Sequence, residues 1–550
     1  MKFFTIFLIF CATLIADRFE PPREFEQFEN LAPSRARDYA SLAFLESRKG
    51  NIDQNRAIFY SLRSPKPSHI SAFLAALRFR GDQSLNKLAN CRAAPNSKLL
   101  EQSDECLSIL INASRAEGID YNARFKIALK IENINPNKAF ILRAFNAKNI
   151  YEKSAENPEA FFRIALNTSD DFFKRHRNIE ISPATIKKLQ SDPRFGSFLA
   201  RASHTNLKKD DKIFENFEAI DEEFLDSKAA FNFGIINIVR NNLDRAAKSF
   251  AIADIKALKR YDRDRALFWL YLVENDKKHL IKILQSNESN FYVICAREIL
   301  DRPLPYVLLN APARSNAKEI YTDKDFTNPF FWSDFAQMIA ENDRAKMIGE
   351  LAKMASDRAE PFRAAINFAL AEHSNQPNYY LNPVPKHLEG LSAHQKSLAL
   401  AIMRKESRFM ESSISTSYAI GGMQMMPFLI NAMLKQNHNK TLGVWDFFNI
   451  DVEMPYALKH IAWLETKVNN VLFVAYAYNG GHGFTKRAIE NNKLFQKGDF
   501  EPFLSLELMP VEETREYGKA VLANYVIYRQ IFNDPVQLSA ILQSLYLRFD

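Results

Sequence analysis

Glycine is scarce in this chain, 15 of 550 residues, which weighs against turn-rich β architectures, and few segments alternate apolar and polar residues as strands do. There is no HExxH motif and no Cys-x-x-Cys pair, and the histidines are scattered, so neither a metal site nor a cofactor is expected. Gly480-Gly481-His482-Gly483 lacks both the Lys-Ser/Thr and the preceding strand of a phosphate loop. Ser407 lacks the glycine pattern of a nucleophile elbow. No polybasic block occurs; the formal charge of +8 comes from basic residues interleaved with acidic ones and reads mostly as a solvated helical surface. Cysteines number four. Cys91 and Cys106 could close a short loop, a pairing the sequence leaves open, and Cys295 within FYVICAREIL reads as a buried helix thiol.

What is present is helix-forming. Ala, Leu, Ile, Phe, Lys, Arg and Glu dominate, 47% of residues are hydrophobic, and apolar positions recur every three or four residues. The expected fold class is all-α. The first residues, MKFFTIFLIFCATLIADRFE, hold one Lys, an apolar run from Phe3 to Ile15 and a small residue at Ala16. They read as a signal peptide, residues 1–16, because the run is short for a membrane span. Cys11 invites a lipoprotein reading, but Ile9 and Phe10 before it are not the small residues a lipobox needs. No later apolar run is long enough to cross a bilayer, so stable membrane insertion is not expected. An exported protein of a Gram-negative cell would be periplasmic. That location removes nucleic acid from its partners and keeps the cell wall among the anionic polymers a basic protein could meet.

Residues 17–305 form a succession of short amphipathic helices separated by polar breaks, as in KAAFNFGIINIVRNNLDRAAKSFAIADI followed by RDRALFWLYLVENDKKHLIKIL. Such pairs cannot bury their apolar faces alone, so they should stack into an α-superhelix able to grip a long substrate or dock a partner protein of the cell wall. Pro303, Pro305 and Pro312 mark a boundary, a short helical linker unit follows over 306–376, and Pro377, Pro383 and Pro385 precede a last unit over 377–550.

That last unit holds the chemistry. Ser392 and Gln395 make a capping box, so a helix should run from about Ala393 past Phe409. Leu398, Ile402, Met403, Glu406 and Phe409 fall on one face, while Arg404, Lys405 and Arg408 point elsewhere. A carboxylate among apolar residues is desolvated, which raises its pKa and suits it to general acid work. A lone glutamate there would more often be satisfied by a salt bridge, so its neighbours decide.

Four motifs follow in order: Lys405-Glu406-Ser407 with Phe409; Ser415-Thr416-Ser417-Tyr418-Ala419-Ile420-Gly421-Gly422-Met423-Gln424-Met425-Met426-Pro427; Ala477-Tyr478-Asn479-Gly480-Gly481-His482-Gly483; and Glu507-Leu508-Met509-Pro510-Val511-Glu512-Glu513-Thr514-Arg515-Glu516-Tyr517. These residues resemble the catalytic domain of the soluble lytic transglycosylases, cell-wall enzymes with a goose-lysozyme-like fold. The resemblance lies at motif level over roughly 377–550 and is weaker upstream. It implies that Glu406 is the catalytic carboxylate and that Ser415 and Gln424 help position it and the sugar N-acetyl group. It further implies that Met426 lines the glycan groove, that Tyr478 and Asn479 stand beside the acid, that Glu507 is a groove acid touching substrate, and that Tyr517 is the tyrosine of the last motif. Gly422, Tyr418, Met509, Glu516, Gly518, His482 and Phe484 depart from the family pattern. They bear on subsite shape more than on the acid.

A glycosidase of the usual kind needs two carboxylates. Glu411, the nearest acid downstream, lies in a polar stretch and reads as solvated. One acid suffices if the substrate supplies the nucleophile, as peptidoglycan can. The expectation is an exported lytic transglycosylase that binds peptidoglycan glycan strands and cleaves the bond between N-acetylmuramic acid and N-acetylglucosamine without water. The alternatives are a hydrolytic muramidase and a non-catalytic peptidoglycan-binding scaffold.

Overall fold

The computed structural model describes residues 19–79, 90–176, 178, 180–204, 211–308, 327–333, 379–439 and 441–546. The leader 1–16 lies outside them, as does the expected linker unit 306–376 apart from 306–308 and 327–333. The fold is all-α. Among the described residues the sole sheet is a parallel pair of two-residue strands, Val307–Leu308 and Tyr379–Tyr380. No described helix is long and apolar enough to cross a membrane.

The helix pairs of the N-terminal region are punctuated by asparagine. Asn241 closes the helix Ser227–Arg240 at φ 66°, a left-handed conformation that asparagine tolerates. Asn242 then caps the helix Leu243–Lys256 by accepting from the Arg245 N–H. The Asn-Asn-Leu turn is therefore one helix stop and one helix start fused. Between these helices and the next, Arg260–Glu274, Phe231, Phe233, Phe250 and Trp269 are buried, each contributing roughly 1.5–3 kcal/mol of burial. Gly234 makes the approach possible, since a Cβ there would sit 2.4 Å from the Phe250 ring. Cys91 and Cys106 are bridged, and Cys295 is a free, buried thiol.

The superhelix touches the last unit near both of its own ends. At the N-terminal end, Tyr39 packs against the rings of Tyr418 and Trp445, the Lys66 ammonium lies 4.0 Å over the Tyr418 ring, and the Tyr418 hydroxyl is 3.0 Å from His69. At the other end, Arg265, Tyr261 and Tyr292 reach into a buried cluster with Glu507, Glu516 and Lys519. Tyr418, one of the departures from the family pattern, is thus a contact with the superhelix.

The last unit is organised by two helices packed side by side, Ala393–Ser407 and Glu512–Ile531. The capping box forms as expected, with Ser392 accepting from the Gln395 N–H. The helix stops two residues earlier than its apolar spacing suggests, because Arg408 and Phe409 both turn left-handed, at φ 54° and 67°. Arg404 does not point away from the core. It is buried, donates to Asn524 Oδ1 (3.1 Å) and the Tyr379 carbonyl (3.0 Å), and stacks on the Tyr380 ring. Gly518 is explained by proximity: a Cβ there would stand 2.2 Å from the Tyr476 ring of the helix Val471–Gly480.

Candidate active site

Glu406 occupies the last turn of the helix Ala393–Ser407, half-buried beside Phe409 and Met403. Burial pushes its carboxyl up to about 7; a hydrogen bond from Tyr517 and the nearby Lys405 pull it down, and Glu513 pushes it up. The Tyr517 hydroxyl donates to Glu406 Oε1 at 2.8 Å. Tyr517 is itself buried in the first half of the helix Glu512–Ile531, so the two long helices together hold acid and tyrosine in register.

The loop after the acid helix folds back on itself through two antiparallel bridges, Ile414 with Ile420 and Ile420 with Met425. Ser415 Oγ accepts from the N–H groups of Ser417 and Ala419, so it holds the loop's turn. Gln424, left-handed at φ 52°, donates its side-chain amide to the Ser413 and Gly421 carbonyls and to Ser413 Oγ. Both therefore shape the loop from within. Met426 is half-buried and precedes Pro427, the first residue of the helix Pro427–Gln436. Tyr478 donates to the Met423 carbonyl at 2.8 Å, and Asn479 Oδ1 accepts from Thr514 at 2.8 Å. Burial raises the Tyr478 pKa well above its ordinary value, with the charge of Glu406 adding to it. The structure thus gathers the loop, Tyr478 and Tyr517 around one partly protonated carboxyl.

Residues 386–500 match the family model of the Transglycosylase SLT domain. The matched segment contains Glu406, Ser415, Gln424, Met426, Tyr478 and Asn479, while Glu507 and Tyr517 lie just beyond it. Among solved structures, the chain is similar to the 70-kDa soluble lytic transglycosylase in complex with bulgecin A, at 14% identity over 92% of this chain and 88% of that one, with a TM-score of 0.51. It is also similar to the 70 kDa soluble lytic transglycosylase SLT70 from Escherichia coli, at 15% identity over 96% and 84% of the two chains with a TM-score of 0.49. An inactive mutant of the lytic transglycosylase Slt from Pseudomonas aeruginosa gives 15% identity over 91% and 82%, with a TM-score of 0.47. No curated protein matches.

Two carboxylates near the SLT segment differ from expectation. Glu507 does not line a groove. It is 3% exposed and receives Arg265, the Tyr292 hydroxyl and Lys519 (3.1 Å). Burial would raise its pKa, but the Arg265 and Lys519 charges outweigh burial and hold it below the usual carboxylate range. Its role is to join the superhelix to the last unit. Glu411 is not solvated either: it is buried, and its Oε1 accepts from the Ile450 N–H at 2.7 Å.

Glu453 escapes a reading of the sequence. Glu453 stands in the first turn of the helix Ile450–Glu465, where an acid usually answers the helix dipole at the surface. Here it is fully buried against the SLT loop. Only the Gly421-Gly422 pair, which makes room for it, hints at its presence.

Replacing Tyr517 by Phe removes the hydrogen bond that favours the charged carboxyl. The Glu406 pKa then rises above about 7, moving the alkaline limb of the pH–rate profile to higher pH. Turnover is expected to fall about tenfold, the value of one hydrogen bond to a charged group. A pH–rate profile of Tyr517→Phe on glycan strands measures both effects.

Proposed function

We propose that this chain is an exported peptidoglycan lytic transglycosylase in which Glu406 serves first as acid and then as base. The observation that carries the reading is the Glu406 carboxyl itself, held near neutrality by burial at about 7 and bonded to Tyr517. A carboxyl of that pKa gives up a proton readily at neutral pH and takes one back. In the first step it protonates the oxygen leaving C1 of N-acetylmuramic acid, while the N-acetyl carbonyl of that sugar supports the anomeric carbon. In the second, the ionised carboxylate removes the proton of the 6-hydroxyl, whose oxygen bonds to C1 and closes a 1,6-anhydro ring. No water is consumed. The carboxyl ends protonated, as it began.

The other buried carboxylates near the site are engaged with backbone N–H groups, Glu411 with Ile450 and Glu453 with Met423. This leaves the substrate's own acetamido group as the nucleophile. Residues 17–305, 306–376 and 377–550 would then be superhelix, linker and catalytic unit of a periplasmic enzyme, with residues 1–16 directing export.

One observation favours a hydrolytic reading. Glu513, exposed in the first turn of the helix Glu512–Ile531, lies within electrostatic reach of Glu406 and could activate water. Product masses separate the two. Digestion of purified sacculi should release muropeptides one water lighter than their reducing counterparts, and Glu513→Gln should leave that pattern unchanged. Reducing-end products lost in Glu513→Gln would establish the hydrolase instead.

A further inference from the structure

From the geometry we infer that Glu453 is a positioning residue for the transglycosylase reaction, acting as a neutral carboxylic acid that clamps the Gly421–Met423 turn beneath Glu406. The inference rests on the proposed function and names a residue that function does not use.

Glu453 is 0% exposed. Its Oε1 accepts from the Met423 N–H at 3.0 Å, and its Oε2 is buried without a hydrogen-bond partner. The Met423 carbonyl is in turn held by Tyr478 at 2.8 Å. Met423 is therefore gripped at both of its main-chain groups, from one side by Glu453 and from the other by a tyrosine of the catalytic cluster. The turn is built around this grip. A Cβ on Gly421 would lie 2.2 to 2.5 Å from the three atoms of the Glu453 carboxyl, and Gly421 has φ +86°, so only glycine admits both the backbone conformation and the acid. A Cβ on Gly422 would press on Met403 at 3.0 Å, one turn before Glu406 on the acid helix. Glycines and carboxyl thus form one device that fixes how closely the loop approaches the acid.

The protonation state follows from the surroundings. Burial pushes the Glu453 carboxyl well above its ordinary value; the N–H groups of Met423 and Gly422 oppose this, and the negative charges of Glu411 and Glu406 add to it. No cation is among the groups that shift it. A buried carboxylate with no counter-charge is stable only with its proton on, and Oε2, which accepts no hydrogen bond, is free to carry it.

The decisive comparison is between a neutral isostere and variants that lose reach. Full-length Glu453→Gln, Glu453→Asp and Glu453→Ala are assayed on soluble uncrosslinked glycan strands beside wild type and Glu406→Gln, with far-UV circular dichroism giving the folded fraction. Glu453→Gln should keep kcat within about threefold, because an amide also accepts from the Met423 N–H without charge. Glu453→Asp and Glu453→Ala should lower kcat per folded molecule by about 30-fold, with KM within about twofold, since the glycan itself does not touch Glu453. If Glu453→Ala does not fold, Glu453→Asp decides. Loss in Glu453→Gln as deep as in Glu406→Gln would mean that an ionised carboxylate is required and would overturn the inference. Wild-type kcat per folded molecule in Glu453→Asp would overturn it equally. The failure of the proposed function looks different: wild type itself would release no anhydro-terminated product.

Discussion

Glu406→Gln is expected to abolish release of soluble muropeptides, lowering turnover by about three to four orders of magnitude, the span a general acid that also serves as base accounts for. The amide keeps the volume and can still accept from Tyr517, so the fold and glycan binding should persist. Stability should respond in the opposite direction to activity. The carboxyl is raised to about 7 in the folded chain against about 4.3 in an unfolded one, so the folded state holds the extra proton between those values. The wild-type contribution from this group is therefore full below the unfolded pKa, declines as pH rises, and is lost above about 7. There a charged, desolvated carboxylate remains. Glu406→Gln removes that charge, and at pH 8 it should be more stable than wild type by on the order of 2 kcal/mol. At pH 4 the two should melt together. Thermal melts at both pH values, run beside the turnover assay, test this. Undiminished turnover would remove Glu406 from the mechanism, and a variant equally stable at both pH values would mean the carboxyl is not desolvated.

Glu507→Ala should have the largest effect on stability. Glu507 neutralises Arg265 and Lys519, both drawn into the interior: their side chains are 13% and 1% exposed. The neighbouring Glu516 is itself shared by Arg265, Arg515 and Lys519. Removing one partner of a buried pair leaves uncompensated charge and destabilises by about 3–5 kcal/mol. Because Arg265 and Tyr292 belong to the superhelix, the same change should loosen the superhelix from the last unit. Limited proteolysis should then cut the chain sooner. A groove residue would behave otherwise: Glu507→Ala would raise KM for glycan and leave the melting temperature unchanged.

These two glutamates also mark how far the sequence could be read. Glu406 is legible because the signal is local. A capping box and the spacing of Leu398, Ile402 and Met403 place the carboxyl on an apolar face without reference to distant residues. The Asn-Asn-Leu break of the superhelix is legible for the same reason. Glu507 is not. Its partners Arg265 and Tyr292 stand more than two hundred residues away in the chain, and nothing in the local pattern of the last motif separates a groove acid from a buried counter-ion. Arg404 deceives similarly, because its helix is buried on nearly every side and its partners Tyr379, Tyr380 and Asn524 come from other segments. Glu411 sits in a stretch that reads as polar and Glu453 in a first helical turn where an acid is usually exposed, yet each is drawn inside by a backbone N–H of another segment. Apolar spacing continues to Phe409, past the helix end at Ser407, because residue type does not show that the backbone turns left-handed at Arg408. Long-range pairing and backbone sign, rather than residue type, carry what was missed.

The central claim is that the 6-hydroxyl of the substrate, and not water, takes the anomeric carbon while Glu406 moves the proton. Digesting purified sacculi in water enriched in oxygen-18 and weighing the released muropeptides tests it most directly. Glu406 acting alone should give products that carry no heavy oxygen at C1 and are one water lighter than the reducing sugars; quantitative incorporation of one heavy oxygen at the new reducing end would contradict it.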